Sequence, residues 1–295
     1  MHARSSDEAV QPLNITGISW ADVAEATYVV AQRFRYDYPG PIADLHHRLV
    51  VVPRERHGAQ RRIATRLDVT PHAVAHDAHD AFGNPVATFF ARRVDGTIEF
   101  SHRSIVTRAR TEHLASTAEL DDIRLCTPTP LTAADAALRQ AAATLRARYG
   151  DPLERAEALC SFVFDAMAYR AGSTDVETPA ATAFARRSGV CQDYAHVALA
   201  LARHAGLAAR YVSGHLLGEG GTHAWIEVLL QRDERPVVFA YDPTHGRRVD
   251  MRYIAIAVGR DYGDVAPTSG VFTAPYAGAL TASKRLAVTS VRYVQ

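Results

Sequence analysis

In the first 113 residues the apolar positions are mostly β-branched or aromatic and fall in short runs. Five of them, at 27–36, 45–52, 62–69, 86–93 and 96–108, read as strands. Pro39-Gly40, His57-Gly58, Phe82-Gly83-Asn84-Pro85 and Asp95-Gly96 supply turns between them. Strands at this spacing predict a small antiparallel, sandwich-like β domain over residues 14–113. Residues 1–13 are polar and expected to be disordered, and the irregular stretch 114–130 reads as a linker.

From residue 131 the apolar period changes to that of helices. Thr132, with Asp135 three positions on, predicts the start of a helix that runs to Tyr149 and stops at Gly150. Asp151 and Pro152 open a second helix as cap and first-turn proline. Its stripe Ala156, Leu159, Cys160, Val163, Phe164 and Met167 has core-facing spacing. A loop through Gly172 and Pro179 leads to a short helix ending near Arg187. The next helix begins at Cys191, carries Tyr194, Val197, Ala198, Leu201 and Ala205 on one face, and stops at Gly206. Strand-like runs follow at 208–215, 223–230, 237–241, 251–258 and near the C-terminus. Helices followed by an antiparallel sheet predict an α+β second domain over 131–295.

Composition narrows the function classes. A chain of 295 residues with 47% hydrophobic positions can bury a large core in one or two domains. A net charge of +1, with both signs mixed along the chain, excludes a polybasic surface for nucleic acid or membrane. Met1 to Asn14 lacks the apolar segment of a signal peptide, and no apolar run is long enough to span a bilayer. Three cysteines are too few for a disulfide framework, so a reducing, cytoplasmic setting is expected.

The candidate chemistry lies in three places. Ser188-Gly189-Val190-Cys191-Gln192-Asp193-Tyr194-Ala195-His196 puts a thiol at a helix start, where the positive end of the macrodipole favours a thiolate. Gly221-Thr222-His223-Ala224-Trp225 opens one strand, and Phe239-Ala240-Tyr241-Asp242-Pro243-Thr244 closes the next. The short polar run 231–236 between them predicts a hairpin, which would place His223 and Asp242 at the same end of the ribbon. The division of labour follows: Cys191 attacks a carbonyl, His223 handles the proton, and Asp242 orients the imidazole. The backbone N–H of Cys191 is a natural oxyanion donor. Gln192, Asp193, His196 and Trp225 are expected in supporting positions. Cys160, in an apolar stripe, and Cys126, in a Pro-rich loop, are expected to be inert.

These motifs, with Ala209-Arg210-Tyr211-Val212-Ser213-Gly214 and His223-Ala224-Trp225-Ile226-Glu227, resemble the bacterial transglutaminase-like superfamily of cysteine proteases. Gly259-Arg260-Asp261-Tyr262-Gly263-Asp264-Val265-Ala266-Pro267 is similar to the C-terminal signature of that subgroup. Tyr36 to Pro39 and the turn Asp80-Ala81-Phe82-Gly83-Asn84 resemble the β-domain that precedes its core. The resemblance covers roughly residues 14–275. It implies a transglutaminase-like, papain-like core with nucleophile Cys191, base His223 and acid Asp242, a protein or peptide substrate, and no cofactor. Family members often carry Gly-Trp before the aspartate strand; Arg235-Pro236-Val237 stands there in this chain.

Hydrolysis of an amide is the expected outcome, because water needs no dedicated acceptor site. Cross-linking to an amine through the same acyl-enzyme is the alternative, and a non-catalytic binding module on the same fold is another. A metal-dependent hydrolase built on His72, His76 and His79 is a third class, although residues 69–90 read as strands. Arg54, Arg56, Arg61 and Arg62 are expected to decorate an exposed hairpin. The sequence leaves the oligomeric state open.

Overall fold

A computed structural model describes residues 11–71 and 73–294 of the chain; ten of the thirteen residues expected to be disordered, and His72, lie outside the described residues. The N-terminal half is built on two long strands, β1 (Val23–Leu49) and β4 (Pro85–Ala109), with β2 (Gln60–Thr70) and β3 (Val74–His79) between them in sequence. β1 and β4 pair antiparallel from Glu25↔Ala109 to Leu49↔Ala87, with one irregularity between Asp37 and Pro41. Pro39-Gly40 was expected to end a strand. It sits in that irregularity, close to Asp95-Gly96 on the partner, so both strands bend together and continue. Beyond the bend the sheet folds over itself. Phe34, Ile98 and Phe100 from one half pack with Ile42, Leu45 and Phe89 from the other, with the Phe89 and Phe100 rings 5.1 Å apart. The sandwich-like core is thus one seven-stranded sheet, not two.

The second layer system contains α1 (Ala136–Arg148), α2 (Pro152–Ala166), α3 (Ala180–Arg186) and α4 (Cys191–His204). It continues with strands β5 (Ala208–Leu216), β6 (His223–Arg232), β7 (Arg235–Asp242) and β8 (Tyr253–Gly259), arranged antiparallel in the order β7-β6-β5-β8, with the short strand Arg247–Arg248 outside β7. α4 packs on β5 and β6 on one side and against α1, α2 and α3 on the other. That sandwiching buries every residue from Gln192 to Arg203. Small residues on α4 (Ala195, Ala198, Ala200 and Ala202, all fully buried) let both layers approach closely.

The first of these helices starts later than Thr132. Asp135 is the N-cap, accepting the Leu138 N–H at 2.9 Å, while Thr132 closes a 3₁₀ turn over Pro130–Thr132 and accepts a hydrogen bond from Arg203. The stretch 114–130 is likewise not a free linker. Leu114 bridges to Val237, and Thr117–Leu120 is a capped helical turn whose Glu119 reaches Arg210.

The C-terminal strands depart most from expectation. β9 (Thr268–Thr273) and β10 (Ala279–Tyr293) leave the second domain and pair with β1, on its second and first halves respectively. The assignment of 131–295 to one core is corrected accordingly: residues 268–293 belong to the N-terminal sheet. Strand-like composition places a residue in a sheet without saying which sheet.

The two sheets are joined through side-chain amides. Gln60 donates to Ala255 O at 2.7 Å and accepts from Ala255 N at 2.9 Å; Asn84 does the same at Val258, at 2.7 and 2.9 Å. β8 is an edge strand, and these amides satisfy backbone groups that a further strand would otherwise take. A buried ion network lies alongside: His57, from the N-terminal hairpin, meets Glu227 at 2.7 Å, and Arg210 joins Glu227 at 2.7 Å to Glu119 at 2.9 Å. Arg54 turns inward beside this network, contrary to the expected exposure, and Arg62 is half-buried on Pro53 O; Arg56 and Arg61 are exposed.

Candidate active site

Cys191 is the first residue of α4, after a Val190 in extended conformation (φ −109°, ψ −179°). Asp193, three residues on from Val190, accepts the Val190 N–H at 2.7 Å and so fixes the turn into the helix. A Cβ on Gly189 would lie 2.5 Å from the Asp193 Cβ, which is why the break before the cysteine is glycine. Asp193 is fully buried, and burial raises its pKa against the pull of Thr174 (2.6 Å) and Val190. Gln192 donates to Asp175 O and Val176 O, both at 3.3 Å, and ties down the preceding loop. By position, the N–H groups of Cys191 and Gln192 have no partner inside the helix.

The hairpin forms as its polar run predicts. Arg232 pairs with Arg235, and the two-residue turn Asp233-Glu234 has positive φ at both positions (45° and 63°), the conformation that matches strand twist. His223 therefore opens β6 and Asp242 closes β7 at the same end. His223 Nε2 and Asp242 Oδ2 are 2.7 Å apart. Both side chains are buried, at 3% and 0% exposure. Burial disfavours the imidazolium. Hydrogen bonds to Asp242 and Cys191 and their charges outweigh burial, so the pKa of His223 is raised to about 10. Cys191 is half-buried and is among the groups that raise the pKa of His223, whose Nε2 is committed to Asp242.

Asp242 is held from all sides. Its Oδ2 also receives the Tyr253 hydroxyl at 2.7 Å and faces His245 Nδ1 at 2.7 Å, while Oδ1 accepts the Thr244 N–H at 2.9 Å. Burial works against the charge, but His223, Tyr253 and His245 together hold the carboxyl well below the usual range. Trp225 is buried beside this group, stacked 6.3 Å from His223 and edge-on to Tyr253 at 5.5 Å, and is among the residues lining a cavity of ≈ 260 Å³. Glu219, in the glycine-rich loop before β6, brings Oε2 to 3.3 Å from His223 Nδ1 and Oε1 to 3.6 Å from His245 Nε2.

His196 does not join this group. Its Nε2 accepts the Tyr262 N–H at 3.1 Å, and burial lowers its pKa to about 4, so it is a neutral acceptor that fastens α4 to the Gly259–Pro267 segment. His76 and His79 lie on exposed β3, not on a helix. Among the described residues, His57, His113 and Glu227, and His223, Asp242 and His245, have potential ligand atoms within 4.8 Å of one another. In the first group Arg210 already neutralises Glu227, and in the second Tyr253 shares the carboxylate. Tyr253, Glu219 and His245 were missed in the sequence. Only His245, three positions after Asp242, had a local cue.

Two family descriptions match the chain. Residues 139–240 match the transglutaminase-like superfamily core, and residues 28–107 match the bacterial transglutaminase-like N-terminal region. An uncharacterized protein of Mycobacterium tuberculosis is 30% identical over 276 residues, covering 83% of this chain and 87% of its own. Another, from Mycobacterium leprae, is 29% identical over 259 residues, covering 81% and 90%. The crystal structure of a protein from Cytophaga hutchinsonii, described as "a Putative Cysteine Protease", superposes with a TM-score of 0.75 at 21% identity, over 92% of this chain and 93% of its own. The chain belongs to the bacterial transglutaminase-like superfamily, with the family's N-terminal β region ahead of its core.

Proposed function

We propose that the protein is a thiol-dependent acyl-transfer enzyme that hydrolyses an amide or peptide bond through Cys191, His223 and Asp242. The observation that carries this reading is the buried imidazole of His223 held 2.7 Å from the buried carboxylate of Asp242, with the helix-start thiol of Cys191 among the groups that raise its pKa. Cys191 acts as the nucleophile in its thiolate form, beside a protonated His223. The sulfur attacks the carbonyl carbon, an S–C bond forms, and the carbonyl electron pair moves to oxygen, where the Cys191 N–H donates a hydrogen bond. As the oxyanion collapses the C–N bond breaks, and the His223 Nδ1 proton goes to the departing nitrogen. Water then enters; Nδ1 takes its proton, the oxygen attacks the thioester, and the C–S bond breaks to restore the thiolate. Asp242 keeps Nε2–H in place throughout, and Tyr253 with the Thr244 N–H keeps Asp242 oriented.

The test is turnover of an amide library with and without added primary amine. Hydrolysis predicts free acid as the product in both, and loss of product release in Cys191→Ala at an unchanged melting temperature. Amine incorporation in preference to water would replace hydrolysis by cross-linking; retained turnover in Cys191→Ala would end the proposal.

A further inference from the structure

The N-terminal sheet reaches the start of the strand that carries His223. Lys284 stands on β10, opposite Gln32 of β1, and reaches out of that sheet to Thr222, the residue immediately before His223. Its Nζ lies 3.3 Å from Thr222 Oγ1 and 5.5 Å from the centre of the Phe34 ring. The side chain is half-buried, and among the described residues no carboxylate lies within ion-pair distance of it. Charged lysines that leave water ordinarily take an anionic partner. The loop before β6 brings the carboxylate of Glu219 to 3.3 Å from His223 Nδ1, so a carboxylate and an ammonium both lie beside the start of β6.

We infer that Lys284 is an anion-binding residue of the Cys191 site, selecting amide substrates that carry a carboxylate beside the scissile bond. The groups facing it fit that role. Thr222, the neighbour of His223, supplies a hydroxyl, and Phe34 an apolar ring face. Burial lowers the lysine pKa, and the charge of Cys191 opposes that shift. A substrate carboxylate would complete the missing ion pair and orient the amide towards the sulfur. The β10 strand that returns to the first sheet thereby serves the chemistry of the second domain.

This inference rests on Cys191 being the reactive thiol, and the test separates the two. Cys191 is alkylated near neutral pH with neutral iodoacetamide and with anionic iodoacetate, in a Cys126→Ser background that removes the exposed cysteine. The rate ratio of iodoacetate to iodoacetamide is compared between that background and Lys284→Met. We expect the ratio to fall about five-fold or more in Lys284→Met, to return in Lys284→Arg, and to shrink with added salt in the lysine form. A ratio unchanged by Lys284→Met overturns the inference, as does an equal fall in both rates, which would mean that the lysine only stabilises the thiolate. Failure of iodoacetamide to label Cys191 at all would instead overturn the parent reading. Paired substrates then identify the anion: Glu against Gln beside the scissile bond, and a free C-terminus against its amide. KM should rise in Lys284→Met for the carboxylate member of one pair and not for its neutral isostere.

Discussion

Asp242→Asn tests the electrostatics of the site with almost no change of shape. The asparagine keeps one acceptor, but it loses the charge that three donors approach at 2.7 Å. His223 is 3% exposed, so without that charge burial becomes the governing influence and the imidazole loses its proton. The rise of His223 from about 6.5 to about 10 has Asp242 as its leading favourable cause. A rise of that size corresponds to a net stabilisation of the imidazolium on the order of 5 kcal/mol, left after the burial penalty has been offset. Cys191 supplies part of the same stabilisation, so the expected loss is about a hundred- to a thousand-fold. The assay is the iodoacetamide rate of Cys191 from pH 4 to 10, read beside thermal unfolding over the same range. Asp242→Asn should react more slowly than the parent protein wherever His223 of the parent is protonated, below about pH 10. Stability follows with opposite signs for the two partners. The raised His223 contributes fully below about pH 6.5, and its contribution is lost as pH climbs through about 10. The depressed Asp242 contributes fully above about pH 4, and its contribution is lost as pH falls through its folded value. Their joint contribution is greatest between about pH 4 and 6.5, and that dependence should flatten in Asp242→Asn. A variant that keeps the parent alkylation rate at pH 6 would refute the reasoning.

Other expectations concern the frame around the site. Gly214→Ala would push a Cβ to 2.2 Å from Ile254 O and 2.4 Å from the Trp225 ring, so chemical denaturation should show a loss of about 3 kcal/mol or more. Arg203 is buried and donates to Leu125 O, Thr132 Oγ1, Ala209 O and Arg260 O; Arg203→Leu strands these acceptors and should cost at least about 3 kcal/mol by the same measurement. Burial pushes the Cys160 thiol up to about 12, so it should resist iodoacetamide in the folded protein and react once denaturant is added.

The positions of Cys191, His223 and Asp242 were legible because each sits at the end of an element with its own signal: a glycine before a helix, a polar hairpin turn, and a strand-ending Asp-Pro. Asp193 was read as a supporting residue, and the structure gives it the helix-start bond to Val190. The bend at Pro39-Gly40 was misread as a turn, since a break in pattern looks the same whether a strand reverses or bends beside a matching break on its neighbour. The return of β9 and β10 to the first sheet had no local signal at all, because pairing with β1 spans 219 to 270 residues. Tyr253 and Lys284 were hidden for that reason: one depends on how an edge strand is held by Gln60 and Asn84, the other on a strand from a different sheet.

The central claim is that Cys191 attacks an amide carbonyl and carries the acyl group. Intact-mass and peptide-mass measurement during turnover of a reactive amide tests it directly. The account predicts an added mass equal to the acyl group on the peptide containing Cys191, appearing with amine release and absent from Cys191→Ala. Amide turnover with the adduct on Cys126, or continuing unabated in Cys191→Ala, would contradict it.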